Sequence, residues 1–153
     1  MSLTPFTLLL VDDNPADVHL IREAIGKWNP PCELHAVGDG ESALDFLYRR
    51  KGHEDAPRPD LIFLDLRTPR LDGFDVLRVA KQDRTLANIP ILVFATGCLP
   101  EQVQQAYNLR ANAYVVKPLT LEEYTQVLDT TGEYWLNIVS LPREGQHAQG
   151  STS

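Results

Sequence analysis

Four places in this sequence carry residue types that could do chemistry: the pair Asp12-Asp13, the lone Asp65, Thr96, and Lys117 followed by Pro118. Each comes at the end of an apolar run. Phe6 to Val11 leads into the acid pair, Leu61 to Leu64 ends at Asp65, Ile89 to Ala95 precedes Thr96, and Tyr114 to Val116 precedes Lys117. If these runs are parallel strands of one sheet, the residues after them gather at the carboxyl ends, where open α/β sheets bind ligands. Three carboxylates held that close repel unless a cation joins them. An all-oxygen site with room for water suits octahedral Mg²⁺ better than Zn²⁺, which prefers His and Cys, and none of the four His is placed to ligate. A carboxylate at the centre of such a site is a competent nucleophile toward phosphorus. Lys117 can neutralise the oxygens of a transferred phosphoryl group as a compact cation. Taken singly, Asp13 or Asp72 reads equally well as a helix N-cap; the combination at successive strand ends is what points to chemistry.

Hydrophobic periodicity supplies the strands and helices that hold these residues. After the first strand, Ala16 to Lys27 places Val18, Ile21, Ala24 and Ile25 on one helix face. Glu33 to Val37 reads as a short strand, and Gly40 to Arg50 as a helix with Ala43, Leu44, Phe46 and Leu47 inward. Further helices are predicted from about Asp72 to Gln82, from Pro100 to Leu109 and from near Leu121. Alternating strands and helices imply an α/β sandwich on a parallel sheet. The strands lack polar alternation, as expected where both faces are covered. Residues 1–141 read as one domain whose last helix is extended. The stretch 142–153, rich in Gly, Gln and Ser, reads as a disordered tail, and 51–59 as a long polar loop.

Bulk properties narrow the function classes. At 153 residues, with 43% hydrophobic and 23% charged positions, the chain is sized for one self-supporting core. The net charge of -7 argues against tight nucleic-acid binding, which needs a clustered Lys/Arg surface. The longest basic run, Arg49-Arg50-Lys51, meets Glu54 and Asp55 at once and reads as a solvated loop. Cys32 and Cys98 form no CxxC pair and read as reduced thiols. No stretch approaches the ~20 apolar residues of a membrane span, and the N-terminus lacks the pattern of a secretory signal. A cytoplasmic protein without membrane contact is expected.

With Val-Asp-Asp at 11–13, Asp65 ending Leu-Ile-Phe-Leu-Asp, Pro69, Asp72-Gly73 and Val-Lys-Pro at 116–118, the sequence resembles response-regulator receiver domains from residue 6 to about 130. The resemblance implies a flavodoxin-like, doubly wound five-stranded parallel sheet, order 2-1-3-4-5, with helices on both faces. It implies phosphorylation at Asp65 by a histidine kinase, metal binding by Asp12, Asp13, Asp65 and the Arg67 carbonyl, and a contact from Lys117 to the phosphoryl group. Tyr114 matches the family's aromatic switch residue. The function implied is that of a Mg²⁺-dependent phospho-acceptor, not an enzyme, that signals by protein contacts.

Three positions depart from the family pattern. Ala95 stands where Thr or Ser usually ends the fourth strand, with Thr96 one place later, which puts the usual relay to Tyr114 in doubt. Arg67-Thr68 sets a long cation beside the site, and Arg110 occupies a turn that would suit Gly. The loop 50–59 and the stretch Glu133 to Pro142 resemble the small regulators paired with bacterial phytochrome histidine kinases. That likeness implies a red-light kinase partner and a homodimer through the last helix. Tyr134, Trp135, Leu136, Ile138 and Val139 form more apolar surface than one helix face needs, so Tyr134, Trp135 and Ile138 are expected at the dimer interface. Two rival readings stand beside this one. A phosphatase of the haloacid-dehalogenase type would want a second Asp where Arg67 stands. A degenerate receiver working without phosphorylation would draw on Ala95.

Overall fold

Five short strands, each flanked by turn residues, line up side by side, and the sheet is parallel throughout. The computed structural model describes residues 5–67 and 71–142. The strands are β1 (Phe6–Val11), β2 (Cys32–Val37), β3 (Leu61–Asp65), β4 (Ile91–Ala95) and β5 (Ala113–Val116). The helices are α1 (Pro15–Ile25), α2 (Gly40–Leu47), α3 (Gly73–Gln82), α4 (Pro100–Asn108) and α5 (Leu121–Glu133). The sheet order is β2-β1-β3-β4-β5, so the expected flavodoxin-like arrangement is the observed one. The chain reverses direction across the sheet between β1 and β3, which opens a crevice at their carboxyl ends.

The strand pleat sends successive side chains to opposite faces. Leu9, Val11, Ile62, Leu64, Ile91 and Val93 meet α2, α3 and α4 on one face. Leu8, Leu10, Leu61, Phe63, Leu92 and Phe94 meet α1 and α5 on the other. Every residue of β3 and β4 is buried, which is why those runs show no polar alternation.

Local chemistry sets the helix starts. Asn14 caps α1 through Ala16 and Asp17, and Pro15 takes the first helical position, one residue earlier than periodicity suggests. The cap is therefore Asn14, which leaves Asp13 free for other work, whereas Asp72 is an N-cap, receiving the Asp75 amide at 3.0 Å. Helix α2 stops at Leu47 rather than Arg50 because Arg49 turns left-handed, with φ 55°. The stretch 51–59 is an irregular polar loop, as expected. Gly40 is required by close approach: a Cβ there would fall 2.0 Å from the Leu71 carbonyl oxygen.

The last helix ends in a turn of π-helix at Tyr134–Ile138, closed by the Val139 amide on the Tyr134 carbonyl at 2.9 Å. This splits the terminal apolar cluster. Leu136 is buried and Trp135 packs in part against the α1–α5 face, while Tyr134 and Ile138 stay outside at 48% and 66% exposure. Gly132 lets α5 close on the Trp28 indole, which a Cβ would meet at 2.4 Å. The tail from Arg143 to Ser153, and Thr68 and Pro69, lie outside the described residues.

Candidate functional site at the carboxyl edge of the sheet

Strand β1 delivers Asp12 and Asp13 to the crevice, and β3 delivers Asp65 as its own last residue. These three acids can each present an oxygen within 4.8 Å of the others; Asp12 and Asp65 are buried and Asp13 is exposed. Strand β5 brings Lys117 over them, its amide donating to the Ala95 carbonyl at 2.7 Å. Gly73 lets α3 start hard against the end of β3, where a Cβ would sit 2.6 Å from the Leu66 Cα. The Asp72-Gly73 pair in the sequence thus has two jobs, a cap and a close approach.

The Lys117 ammonium is buried and gives all three of its protons to carboxylates. It donates to Asp17 Oδ2 at 2.8 Å, Asp65 Oδ2 at 2.9 Å and Asp12 Oδ2 at 3.1 Å. The second oxygens of Asp12 and Asp65 are also engaged: Asp12 Oδ1 accepts from the Asn14 amide and Asp65 Oδ1 from the Arg67 amide, both at 2.9 Å. Burial alone would pull the Lys117 pKa down, but hydrogen bonds to Asp17 and Asp65 and the charges of Asp12 and Asp65 outweigh it and hold the pKa above its ordinary value. Asp12 moves upward instead, because burial exceeds the help it gets from the Asn14 amide and Lys117. Three carboxylates on one ammonium, with Asp13 beside Asp12 and Asp65, leave an excess of negative charge that a divalent cation would offset. The donor set is all oxygen, which fits a hard cation such as Mg²⁺.

The remaining predicted residues fall around this centre. Ala95 ends β4, buried and without a hydroxyl, and Thr96 is exposed just beyond it. Thr96 lines a cavity of about 380 Å³ with Lys117, Asp17, Thr120 and Tyr124. Tyr114 donates its hydroxyl to the Gly97 carbonyl at 2.7 Å, tying β5 to the loop after Thr96. Arg67 is exposed and meets the site through its amide. Tyr134, Trp135 and Ile138 lie on the terminal turn after α5. Sequence reasoning missed Asp17. Its place in the first turn of α1 reads as a helix N-terminal acid, and nothing local links it to a lysine 100 residues away.

The sequence profile of the response regulator receiver domain matches residues 8–129. The chain is 36% identical to response regulator Rcp1 of Synechocystis sp. over 138 residues, 90% of this chain and 94% of that protein. It superposes on the crystal structure of the phosphorylated cyanobacterial phytochrome response regulator RcpA with a TM-score of 0.89 at 36% identity, covering 92% of this chain and 100% of that one. On the Mn²⁺-bound form of response regulator Rcp1 the TM-score is 0.87 at 35% identity, covering 91% and 100%.

Proposed function

The chain belongs to the response regulator receiver domain family, and from that premise we propose that it accepts a phosphoryl group from a histidine kinase onto Asp65 in a Mg²⁺-dependent transfer. The observation that carries this reading is the buried Lys117 ammonium bridging Asp65 and Asp12 beside a three-carboxylate cluster. An Asp65 oxygen attacks phosphorus, the P–N bond to the kinase histidine breaks, and the leaving imidazole takes up a proton. Lys117 then turns its Asp65-directed proton to an oxygen of the new acyl phosphate. Asp12, Asp13 and Asp65 would hold the metal with the Arg67 carbonyl, and Mg²⁺ supplies positive charge that eases the approach of two anionic groups. A divalent metal in the Mn²⁺-bound form of Rcp1 supports that assignment. Thr96, on the cavity wall beside Lys117, offers a hydroxyl to the transferred group.

The kinase we infer is of the phytochrome type, supported by the likeness to RcpA, which is described as a phytochrome response regulator. The protein is a phospho-acceptor rather than an enzyme, with slow self-dephosphorylation at most. Output runs through protein contacts, for which Leu99, Tyr107, Val116, Leu119 and Leu121 offer exposed apolar surface around α4, β5 and the start of α5. No helix among the described residues is long and apolar enough to cross a membrane, in keeping with a cytoplasmic role. A second reading, an interaction module that works unphosphorylated, draws on Ala95 at the end of β4.

Mass spectrometry after treatment with acetyl phosphate separates the two. Wild type should gain one phosphoryl group with Mg²⁺ and none with a chelator, Asp13→Asn should need more Mg²⁺, and Asp65→Asn should gain nothing. Equal labelling of Asp65→Asn would move the acceptor elsewhere, and no labelling of wild type would favour the second reading.

A further inference from the structure

We propose that Asp17 is a positioning residue for phosphoryl transfer, the anchor that holds Lys117 in place when Asp12 and Asp65 are engaged elsewhere. The proposal rests on the reading of Asp65 as acceptor. The ammonium has three protons, and three carboxylates take them. Two of those carboxylates, Asp12 and Asp65, belong to the cluster able to hold a cation. Asp17 does not. Once a cation draws on Asp12, and once the Asp65 carboxylate becomes an acyl phosphate, a mixed anhydride, both turn away from the lysine or lose charge. Asp17 is the carboxylate left to Lys117 through the whole cycle.

The geometry suits that duty. Asp17 sits in the first turn of α1, where the Asn14 side chain accepts its amide at 3.3 Å, so its backbone is fixed by the helix cap. Its carboxylate makes the shortest of the three contacts to the ammonium, at 2.8 Å, and its side chain is 23% exposed against 1% for Asp12. It therefore holds the lysine from the solvent edge of the crevice, on the wall of the cavity that also contains Thr96. A lysine head rides on a flexible four-carbon stem, and a point charge serves a developing anion only if it is already in place. An anchor outside the reacting pair supplies that placement without competing for the cation.

A purely structural Asp17, serving only the helix N-terminus, would affect stability and leave Lys117 and phosphoryl transfer unchanged. The test uses the full chain labelled with ¹⁵N-lysine as wild type, Asp17→Asn and Asp17→Glu. In Mg²⁺-saturated protein the Lys117 ammonium protons should exchange with water at least about tenfold faster in Asp17→Asn than in wild type. Phosphoryl uptake from acetyl phosphate at saturating Mg²⁺ should slow by about tenfold in Asp17→Asn and recover to within about threefold of wild type in Asp17→Glu. Exchange and uptake both within about twofold of wild type in Asp17→Asn would overturn the proposal. So would faster exchange with unchanged uptake, or equal loss in the Asn and Glu variants. A wild type that takes up no phosphoryl group would sink the acceptor reading instead, and an unchanged ammonium exchange would then still overturn the anchor.

Discussion

Burial acts in opposite directions on the two kinds of titratable side chain in this protein, and the partners decide which one stays charged. Lys117 keeps its charge because carboxylates surround it, so its raised pKa adds stability that is full below the unfolded value and fades as pH climbs through the folded one. Cys32 has no such help. Burial, then the charges of Asp60 and Glu33, push its thiol from 9.0 up to about 12. Between those values the unfolded chain has lost a proton that the native chain keeps, so this thiol makes native stability fall as pH rises from about 9 to 12. Because the thiolate is the nucleophile, Cys32 should resist alkylation at pH 9 in the native state, while exposed Cys98 reacts. Iodoacetamide followed by peptide mass mapping should find the adduct on Cys98 alone, and on both cysteines in urea. Equal labelling of the two in native protein would contradict the raised pKa of the half-buried Cys32 thiol.

At the scale of single elements, two helices end in the same motif with an unusual residue in it. After α2, the Arg49 amide donates to the Phe46 carbonyl and the Arg50 amide to that of Asp45. After α4, the Arg110 amide donates to Tyr107 and the Ala111 amide to Ala106. Both are Schellman caps, whose left-handed position favours Gly, yet Arg49 and Arg110 hold it with φ 55° and 76°. The left-handed conformation costs an L-residue about 1–2 kcal/mol, and Gly gives back part of that gain as unfolded-state entropy. Arg110→Gly should therefore stabilise by roughly 0.5–1 kcal/mol, a rise in Tm of about 2 °C. Arg49→Gly should gain less, because Arg49 Nε donates to the Ala56 carbonyl at 2.9 Å and that bond would be lost. Thermal melts followed by circular dichroism compare the two, and a lower Tm for Arg110→Gly would show that its side chain does something else.

For the molecule as a whole, the outstanding feature is apolar surface left over after folding. The terminal π-turn uses Leu136 and part of Trp135 on the protein's own core, and presents Tyr134 and Ile138 outward, with the Tyr134 ring set edge-on to Trp135 at 5.6 Å. Covering the exposed half to two thirds of each of those side chains against a partner would be worth about 1–2 kcal/mol. A homodimer through this turn is expected, and phosphorylation should change its strength only modestly. A phosphate biases an equilibrium only through contacts that differ between the two states, and Ala95 lacks the hydroxyl that would make one. Sedimentation velocity should show a dimer for wild type and a monomer for the Tyr134→Ala, Ile138→Ala double variant, chosen because both side chains lie outside the core. A monomeric wild type with and without beryllofluoride would refute the interface. Monomer in one state and tight dimer in the other would show that the relay runs without the Ala95 hydroxyl, through Tyr114 and the Gly97 loop.

Local pattern sufficed for the order of elements, for a sheet covered on both sides and for the three acids at the strand ends. Those properties are written in short-range patterns: continuous apolar runs such as Leu8 to Val11, helical spacing of Ile21, Ala24 and Ile25, and polar residues placed directly after apolar runs. Helix ends were read three residues too long at Arg50 and one too long at Leu109, because a left-handed arginine carries no composition signal of the kind Gly gives. Tertiary structure decided which acids Lys117 would hold. Asp17 and Asp72 look alike in sequence, each an acid near the start of a helix, yet one caps its own helix and the other reaches a lysine from across the sheet. It also decided how the terminal aromatic cluster divides, since the π-turn rotates Leu136 inward and Ile138 outward. Pairing across 100 residues and the facing of a final turn depend on how layers pack, and the residues on either side in the chain carry no record of that.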